Sequence, residues 1–314
     1  MSSSLSKISF SDMLIYPLAL VVALIAINVW GGSIAFPIVS DNAQRDFNTA
    51  LGTSLLSGYF LLTIRFIHKN LAVNLYSILV IKGIQTLYHQ YRYRIAHSFK
   101  KHVVWSISVG FVMPIVYMIA EGVVTRINEP EVMVVAITAI PFWFLLTLFF
   151  IQTYSSNRIL RTLNDTEELT TTCKINLSRK VLNVGLTSAT MALSGTALIP
   201  IFWINQPIHS FDLFFVILII SFISLFLMWP LFKMAIELKR LTNVLLEENE
   251  RKISHFIKTY GAQSKGLQIE QLLTEQENYT NYLTTNHRLK LFLCAMPLPL
   301  SWFCFLLIEA VFLS

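Results

Sequence analysis

Charge is scarce in this chain. Asp, Glu, Lys and Arg make up 13% of its 314 residues, roughly half the share that soluble domains carry. Cysteine is nearly absent: Cys173, Cys294 and Cys304 offer no obvious pairing and no close metal-ligand spacing, which removes redox and zinc chemistry from the expectations. A glycine-rich phosphate loop, a Ser-centred glycine elbow and an HExxH pair are all missing, and the seven histidines are scattered. His68, His97, His102 and His287 fall where solvated or lipid-facing roles are expected. An enzyme therefore has no residues on which to build, and no catalytic group, metal or cofactor is expected.

What the chain has instead is apolar length, with 54% hydrophobic residues and a mean hydropathy of +0.60. Seven stretches lie between consecutive charges, 13–40, 47–64, 103–120, 132–157, 181–211, 213–232 and 291–308. Each reaches the roughly 18 residues of a spanning helix. The chain reads as an all-α polytopic membrane protein, one integral domain over 1–314 with about seven transmembrane helices. The first stretch is too long for the core of a cleavable signal and reads as a retained span.

Charge sign alternates between the connections. The segments around 38–46, 121–131, 205–212 and the C-terminus hold Asp41, Asp46, Glu121, Glu129, Glu131, Asp212 and Glu309 against Arg45 and Arg126. The remainder holds twenty-two bases and eleven acids. Lys and Arg near membrane ends are retained in the cytoplasm, so the N-terminus is expected inside and the C-terminus outside. A last helix entering near Lys290 then carries Glu309 roughly 28 Å across, to the far headgroup level. Glu309 there either caps the helix or joins Glu121 and Asp212 in an acidic vestibule that concentrates cations.

The inner connections, 65–102, 158–180 and 233–290, are long. The run "NLAVNLYSILVI" at 70–81 is too short to cross and is followed by the basic, aromatic "KGIQTLYHQYRYRIAHSFKKH". Together they are expected to lie along the inner leaflet against anionic headgroups, a reading preferred to nucleic acid. "NDTEEL" signals a short helix, capped by Asp165 or Thr166 with Glu167 and Glu168 in its first turn. After Pro230, Leu238, Leu241, Leu245, Ile253, Phe256 and Tyr260 recur at helical spacing until "GAQSKG", and a second stripe follows through Ile269, Leu272, Leu273, Gln276 and Leu283. The two make a helical hairpin over 233–286, either packed on the other inner segments or offered to a cytoplasmic partner. "YFLLTIRFI" at 59–67 also echoes "WFLLTLFFI" at 143–151.

Inside the windows no charge falls at a helix centre, which weighs against a proton relay. Small residues do recur there: Gly185, Ser188, Ala189, Ala192 and Gly195 align at three- and four-residue steps, the pattern of close helix approach. The same helix offers Thr187, Thr190 and Ser194 as a hydroxyl-lined path. Pro297 and Pro299 remove two amide donors and free the carbonyls of Leu293 and Ala295, giving either a packing kink or a solute site.

"LFLMWPLFKMAIELKR" at 225–240 and "PLPLSWFCFLLIEAVFLS" at 297–314 resemble a family of uncharacterised, mainly proteobacterial, inner-membrane proteins, with Trp229, Pro230, Pro299, Ser301, Trp302 and Glu309 at the matching positions. The chain departs from that family with Phe303 and Cys304, where glycines are usual, and with Ala310, where a base is usual. The resemblance implies a bacterial inner membrane and no activity. The expected function is a channel- or carrier-like protein, a homo-oligomer passing an ion or small solute along helices 5 and 7. The rival is a scaffold or sensor recruiting a partner through 233–286.

Overall fold

The computed structural model describes residues 10–38, 40–120, 122–164, 169–208 and 227–260. Beyond these it describes positions 214, 216, 218, 221, 270, 271, 273, 274, 276, 277, 296 and 300–303. Among the described residues every regular element is a helix and none is a strand. The helices are α1 (Phe10–Trp30), α2 (Asp41–Ile81), α3 (Tyr88–Ala120), α4 (Pro130–Asn164), α5 (Thr171–Ser194), which passes into a 3-10 run at Gly195–Trp203, and α6 (Trp229–Tyr260). Five of them are long and apolar enough to cross a membrane: α1, α2, α3 with its preceding turn, α4, and α5 with its 3-10 run. These coincide with the first five charge-free stretches. The other two, 213–232 and 291–308, fall largely outside the described residues.

The long connections between stretches are not loops. α2 starts at Ser40, whose extended backbone and Oγ, accepting from the Ala43 amide at 3.2 Å, make an N-cap reinforced by Asp41. It then runs unbroken for 41 residues, about 60 Å. It ends where Gly83 takes φ +72°, with the Gly83 amide donating to Val80 and the Ile84 amide to Leu79, a Schellman closure. The segment 70–81 is therefore the last three turns of α2 and not a separate helix lying along a leaflet. No glycine or proline interrupts the chain between Gly58 and Gly83, and Leu71, Leu75, Ile78 and Leu79 continue the buried stripe of Ile64 and Ile67. They share one apolar cluster with Leu160, Leu163, Ile175 and Leu182 of α4 and α5. Likewise the basic stretch 88–102 is the first half of α3.

α4 runs to Asn164, Leu169 and Thr170 are non-helical, and α5 starts at Thr171. The helix start expected at 165–168 lies outside the described residues. Ser178 Oγ donates to Asn164 Oδ1 at 2.9 Å across this turn. α6 continues from Trp229 to Tyr260 as the leucine spacing predicts. Its buried stripe, Leu231, Met234, Leu238, Thr242 and Leu245, packs on α5, while Glu237–Arg240 and Glu248–Lys252 pair on exposed faces. The second arm of the expected hairpin lies outside the described residues, apart from helical positions between 270 and 277.

Polar side chains fix how the spans meet. Asn28 of α1 is fully buried: its amide nitrogen reaches the Leu24 carbonyl at 2.9 Å and Ser54 Oγ of α2 at 3.5 Å, while its oxygen accepts from Thr138 of α4 at 3.3 Å. Along α2, Asn48, Tyr59 and Asn70 bond successively to Ile204, Met191 and Val184, so the α5 strand of chain lies antiparallel to α2. The segments that echo each other, 59–67 and 143–151, sit in α2 and α4 and run toward the same end. That end carries the helical extensions of α2, α3 and α5 and most of the bases, including Arg65, Lys69, Arg92 and Lys100. The opposite end gathers the short connections and Asp41, Asp46, Glu129 and Glu131. Trp105 on α3 and Trp229 on α6, the latter with Lys233 5.3 Å from its ring, stand exposed where the apolar stretches give way to the basic end, the arrangement of an interfacial aromatic belt.

Candidate functional site

Of the predicted site residues, the structure describes Thr187, Thr190 and Ser194. Glu121, Asp212, Pro297, Pro299 and Glu309 lie outside the described residues. Thr187 and Thr190 are on the exposed side of α5, and each hydroxyl donates to the carbonyl four residues earlier, at 2.8 and 2.9 Å. Ser194 turns the other way, bonded to Tyr59 Oη and to the Met191 carbonyl. None of the three is among the described residues that line the cavity between α2 and α4. The small-residue stripe is used in packing: a Cβ on Gly185 would lie 2.4 Å from Leu231 of α6, and one on Gly195 2.5 Å from the Tyr59 ring. Ser188 accepts from Asn70 at 3.1 Å.

What the helices do enclose is a cavity of about 150 Å³ between α2, α4 and the 3-10 run. One face of α2 lines it through Arg45, Thr49, Thr53, Leu56 and Phe60, spaced at three and four residues. α4 contributes Phe142, Leu146 and Phe149 at the same spacing, with Trp143 beside Phe142, and the opposite wall comes from Ala192, Ile199, Phe202 and Trp203. The wall spans four turns of α2, about 22 Å, so the space is a slot. Its mouth, at the acidic end, is formed by Arg45, Gln206 and Pro207. At its far end the Phe60 and Phe149 rings stack at 5.1 Å. Trp302, from the C-terminal region, stacks on Trp203 at 5.9 Å.

The polar groups in the slot are already engaged. Thr49 Oγ1 donates to the Arg45 carbonyl at 2.8 Å, Thr53 Oγ1 to Thr49 at 2.7 Å and Thr196 Oγ1 to Leu193 at 2.5 Å. Past these hydroxyls an entering ion would meet mostly aromatic rings and aliphatic chains among the described lining residues, which replace little of its water. The wall itself is held by Asn48, fully buried, whose amide nitrogen donates to the Ile204 carbonyl at 2.6 Å just past the 3-10 run. Such a run is unusually long; Pro200 within it lacks an amide hydrogen, and Asn48 serves a carbonyl released at its end.

The acidic end is less open to cations than its composition suggests. Arg126 bonds Asp46 at 2.8 Å and Glu129 at 2.7 Å, and Gln206 donates to the Asp41 carbonyl at 3.0 Å. The Arg126 hydrogen bond holds the Glu129 carboxyl below the usual carboxylate range. Glu129 thus favours the fold at pH values above that range, and its contribution disappears as pH falls through the depressed value. The thermal stability gap between the protein and an Arg126→Gln variant is expected at neutral pH, to start closing above the ordinary carboxylate range as Asp46, whose carboxyl burial pushes up, takes a proton, and to be gone below the depressed Glu129 value. A gap that does not depend on pH removes the clamp.

Two histidines expected apart come together. Gln152 of α4 is bonded to His102 Nδ1 of α3 at 3.0 Å beside His68 of α2, whose buried Nε2 has no hydrogen-bond partner among the described residues and whose ring meets Phe99 edge-on at 5.0 Å. Two imidazoles and an amide fall short of a four-ligand zinc set, and no group of three His, Cys, Asp or Glu able to hold a metal occurs among the described residues. The contact ties three helices where the basic end begins. Comparison with protein-family models, with curated proteins and with solved structures finds no match.

Proposed function

We propose that the protein is a carrier-like integral membrane protein that takes a small solute with an apolar body into the aromatic slot. The observation that supports this reading is the slot itself, lined by Arg45 and Gln206 toward one end of the bundle and by the stacked Phe60 and Phe149 rings toward the other. A simple ion is disfavoured, because beyond Thr49 and Thr53 the described lining is mostly aromatic and aliphatic and dehydration there would go largely uncompensated. The scaffold reading is weaker, since the leucine stripe of α6 is spent on α5 of the same chain.

Purified protein in liposomes should admit solutes with an apolar body, chosen to be bilayer-impermeant, faster than protein-free vesicles do, and should not admit sodium, potassium or chloride under a membrane potential. Uptake no faster than in empty vesicles for the whole panel discards the carrier reading.

The orientation and compartment we propose follow charge and resemblance: a bacterial inner membrane, the slot mouth and acidic end outside, the basic helical extensions in the cytoplasm. A periplasm-active reporter inserted after Gly32 or fused after Ser314 should be active, and one inserted after Gly83 silent. The reverse pattern turns the protein over and puts the slot mouth in the cytosol.

A further inference from the structure

We infer that α2–α3 and α4–α5 are two copies of one helical hairpin, facing each other across a two-fold axis parallel to the helices. Phe142 then sets the width of what the slot admits, because it is the two-fold mate of Gly58, where α1 packs against α2.

Register is the first argument. "YFLLTIRFI" and "WFLLTLFFI" agree at six of nine positions and stand 84 residues apart. The same shift carries α2 and α3 onto 125–165 and 172–204, while α4 occupies 130–164 and α5 with its 3-10 run 171–203. Three of the four helix ends coincide within one residue, which a chance likeness between two apolar stretches would not produce.

Contact is the second. α2 and α4 run parallel, and residues 84 apart, here called mates, meet across the seam between them. Asn28 bridges the mates Ser54 and Thr138, and His68 stands beside its mate Gln152. On each helix the two meeting points are fourteen residues apart, about 21 Å and nearly four whole turns, so they share one face. Mates at equal height on parallel neighbours are what a two-fold along the seam requires. The second helices obey it too: α3 packs on α4, and α5 with its 3-10 run on α2. Gly110 of α3 lies against Phe144, and its mate Ser194 of α5 bonds Tyr59, one residue from the mate of Phe144.

The grooves on either side of the seam are the third. α1 fills one: Val21 and the Pro17 carbonyl close on Gly58, and the Arg65 guanidinium lies over the Tyr16 ring. Rotation carries Gly58, Leu62 and Arg65 onto Phe142, Leu146 and Phe149, and these three line the slot. The slot is therefore the counterpart of the seat of α1, and transporters built from repeats place their sites between the repeats. The seat admits a helix because Gly58 has no side chain; a Cβ there would stand 2.1 Å from Val21. In the slot Phe142 puts a ring at that height, 6.0 Å from the Phe60 ring and 6.3 Å from that of Phe202. The space left, about 150 Å³, is what one benzene ring fills. As a statement about selectivity this rests on the slot being the solute site.

The tests use the full-length protein in detergent with Cys173, Cys294 and Cys304 replaced by serine, and neither needs transport. Leu61 and Leu145 are mates midway between the two meeting points, whereas Ile137 is exposed on α4. Leu61→Cys with Leu145→Cys should be joined by ethane-1,2-diyl bismethanethiosulfonate, and Leu61→Cys with Ile137→Cys should not. No bridge between the mates, or equal bridging in both pairs, overturns the two-fold. Leu146, one turn beyond Phe142 from the acidic end, reports on width. Leu146→Cys should react with methyl methanethiosulfonate and far more slowly with the benzyl reagent. Adding Phe142→Ala should speed the benzyl reagent roughly tenfold or more and the methyl reagent little. Equal acceleration of both reagents, or acceleration of neither, overturns the role of Phe142. The expected bridging and labelling, in a protein that carries no solute into liposomes, leave the inference standing and remove the carrier reading instead.

Discussion

Replacing Gly110 with valine is expected to leave little folded protein. A Cβ at this position would stand 2.8 Å from the Cβ of Phe144 and 3.1 Å from its Cα and backbone nitrogen. Where a new methyl meets the far end of a flexible side chain, a rotamer change relieves it; here the obstacle is the backbone of α4. α3 and α4 would have to separate along a contact on which α3 depends, since α3 packs chiefly on α4 and only slightly on α2. Overpacking of ordinary cores costs about 1–3 kcal/mol, and a backbone obstacle belongs at or above the top of that range. Alanine should cost less, serine about as much as alanine. Thermal unfolding followed by size-exclusion chromatography in detergent is the measurement. A valine variant with an unchanged midpoint means that α3 does not lie against α4 at Gly110.

Gly110 also shows what a sequence of this kind displays and what it hides. Spans were legible because charge is excluded from lipid-facing and packed stretches alike, so distances between charges marked the first five helices. The same marks misled at helix ends. Arg65 and Lys69 close the second charge-free stretch, yet α2 runs on for three more turns beyond Lys69, because those charges stand on its half-buried flank and not in the stripe of Ile64, Ile67, Leu71 and Leu75. A window that stops at each charge cannot see a helix that turns its charges aside. The stripe itself, read at three- and four-residue steps, was the signal available.

The slot was hidden for a different reason. Phe60, Phe142, Phe149 and Phe202 look in sequence like residues that face lipid, and nothing local distinguishes a ring lining a cavity from one lining a bilayer. The nearest clue was the run Arg45, Thr49, Thr53, Leu56, Phe60 on one helical face, polar at one end and apolar at the other. The buried asparagines were equally silent. Asn28, Asn48 and Asn70 are defined by partners on other helices 26 to 156 residues away, a pairing that only the packed spans create. On the hydroxyl face of α5, Thr187 and Thr190 bond back to their own helix carbonyls, as Thr and Ser in helices commonly do.

Filling the slot is the second change with a large expected effect. Ala192 and Ala139 face each other's region of the cavity from α5 and α4, and phenylalanine at either place carries a ring into a space of about 150 Å³. Because the cavity is empty of side chains there, the ring is accommodated at a cost of roughly 1–3 kcal/mol, and part of that is recovered by burying apolar area. Occupancy of the site, by contrast, is blocked outright. Solute uptake into liposomes should fall by roughly tenfold or more, as for a pocket whose volume is taken by a side chain, while the melting temperature moves by a few degrees. Thr187→Val and Thr190→Val act as the contrast, since their side chains point away from the slot and should leave uptake unchanged. The two sets of variants separate two routes through the same helix: loss in the alanine pair with retention in the threonine pair places the solute among the aromatic rings, and the opposite pattern moves it to the hydroxyl face of α5.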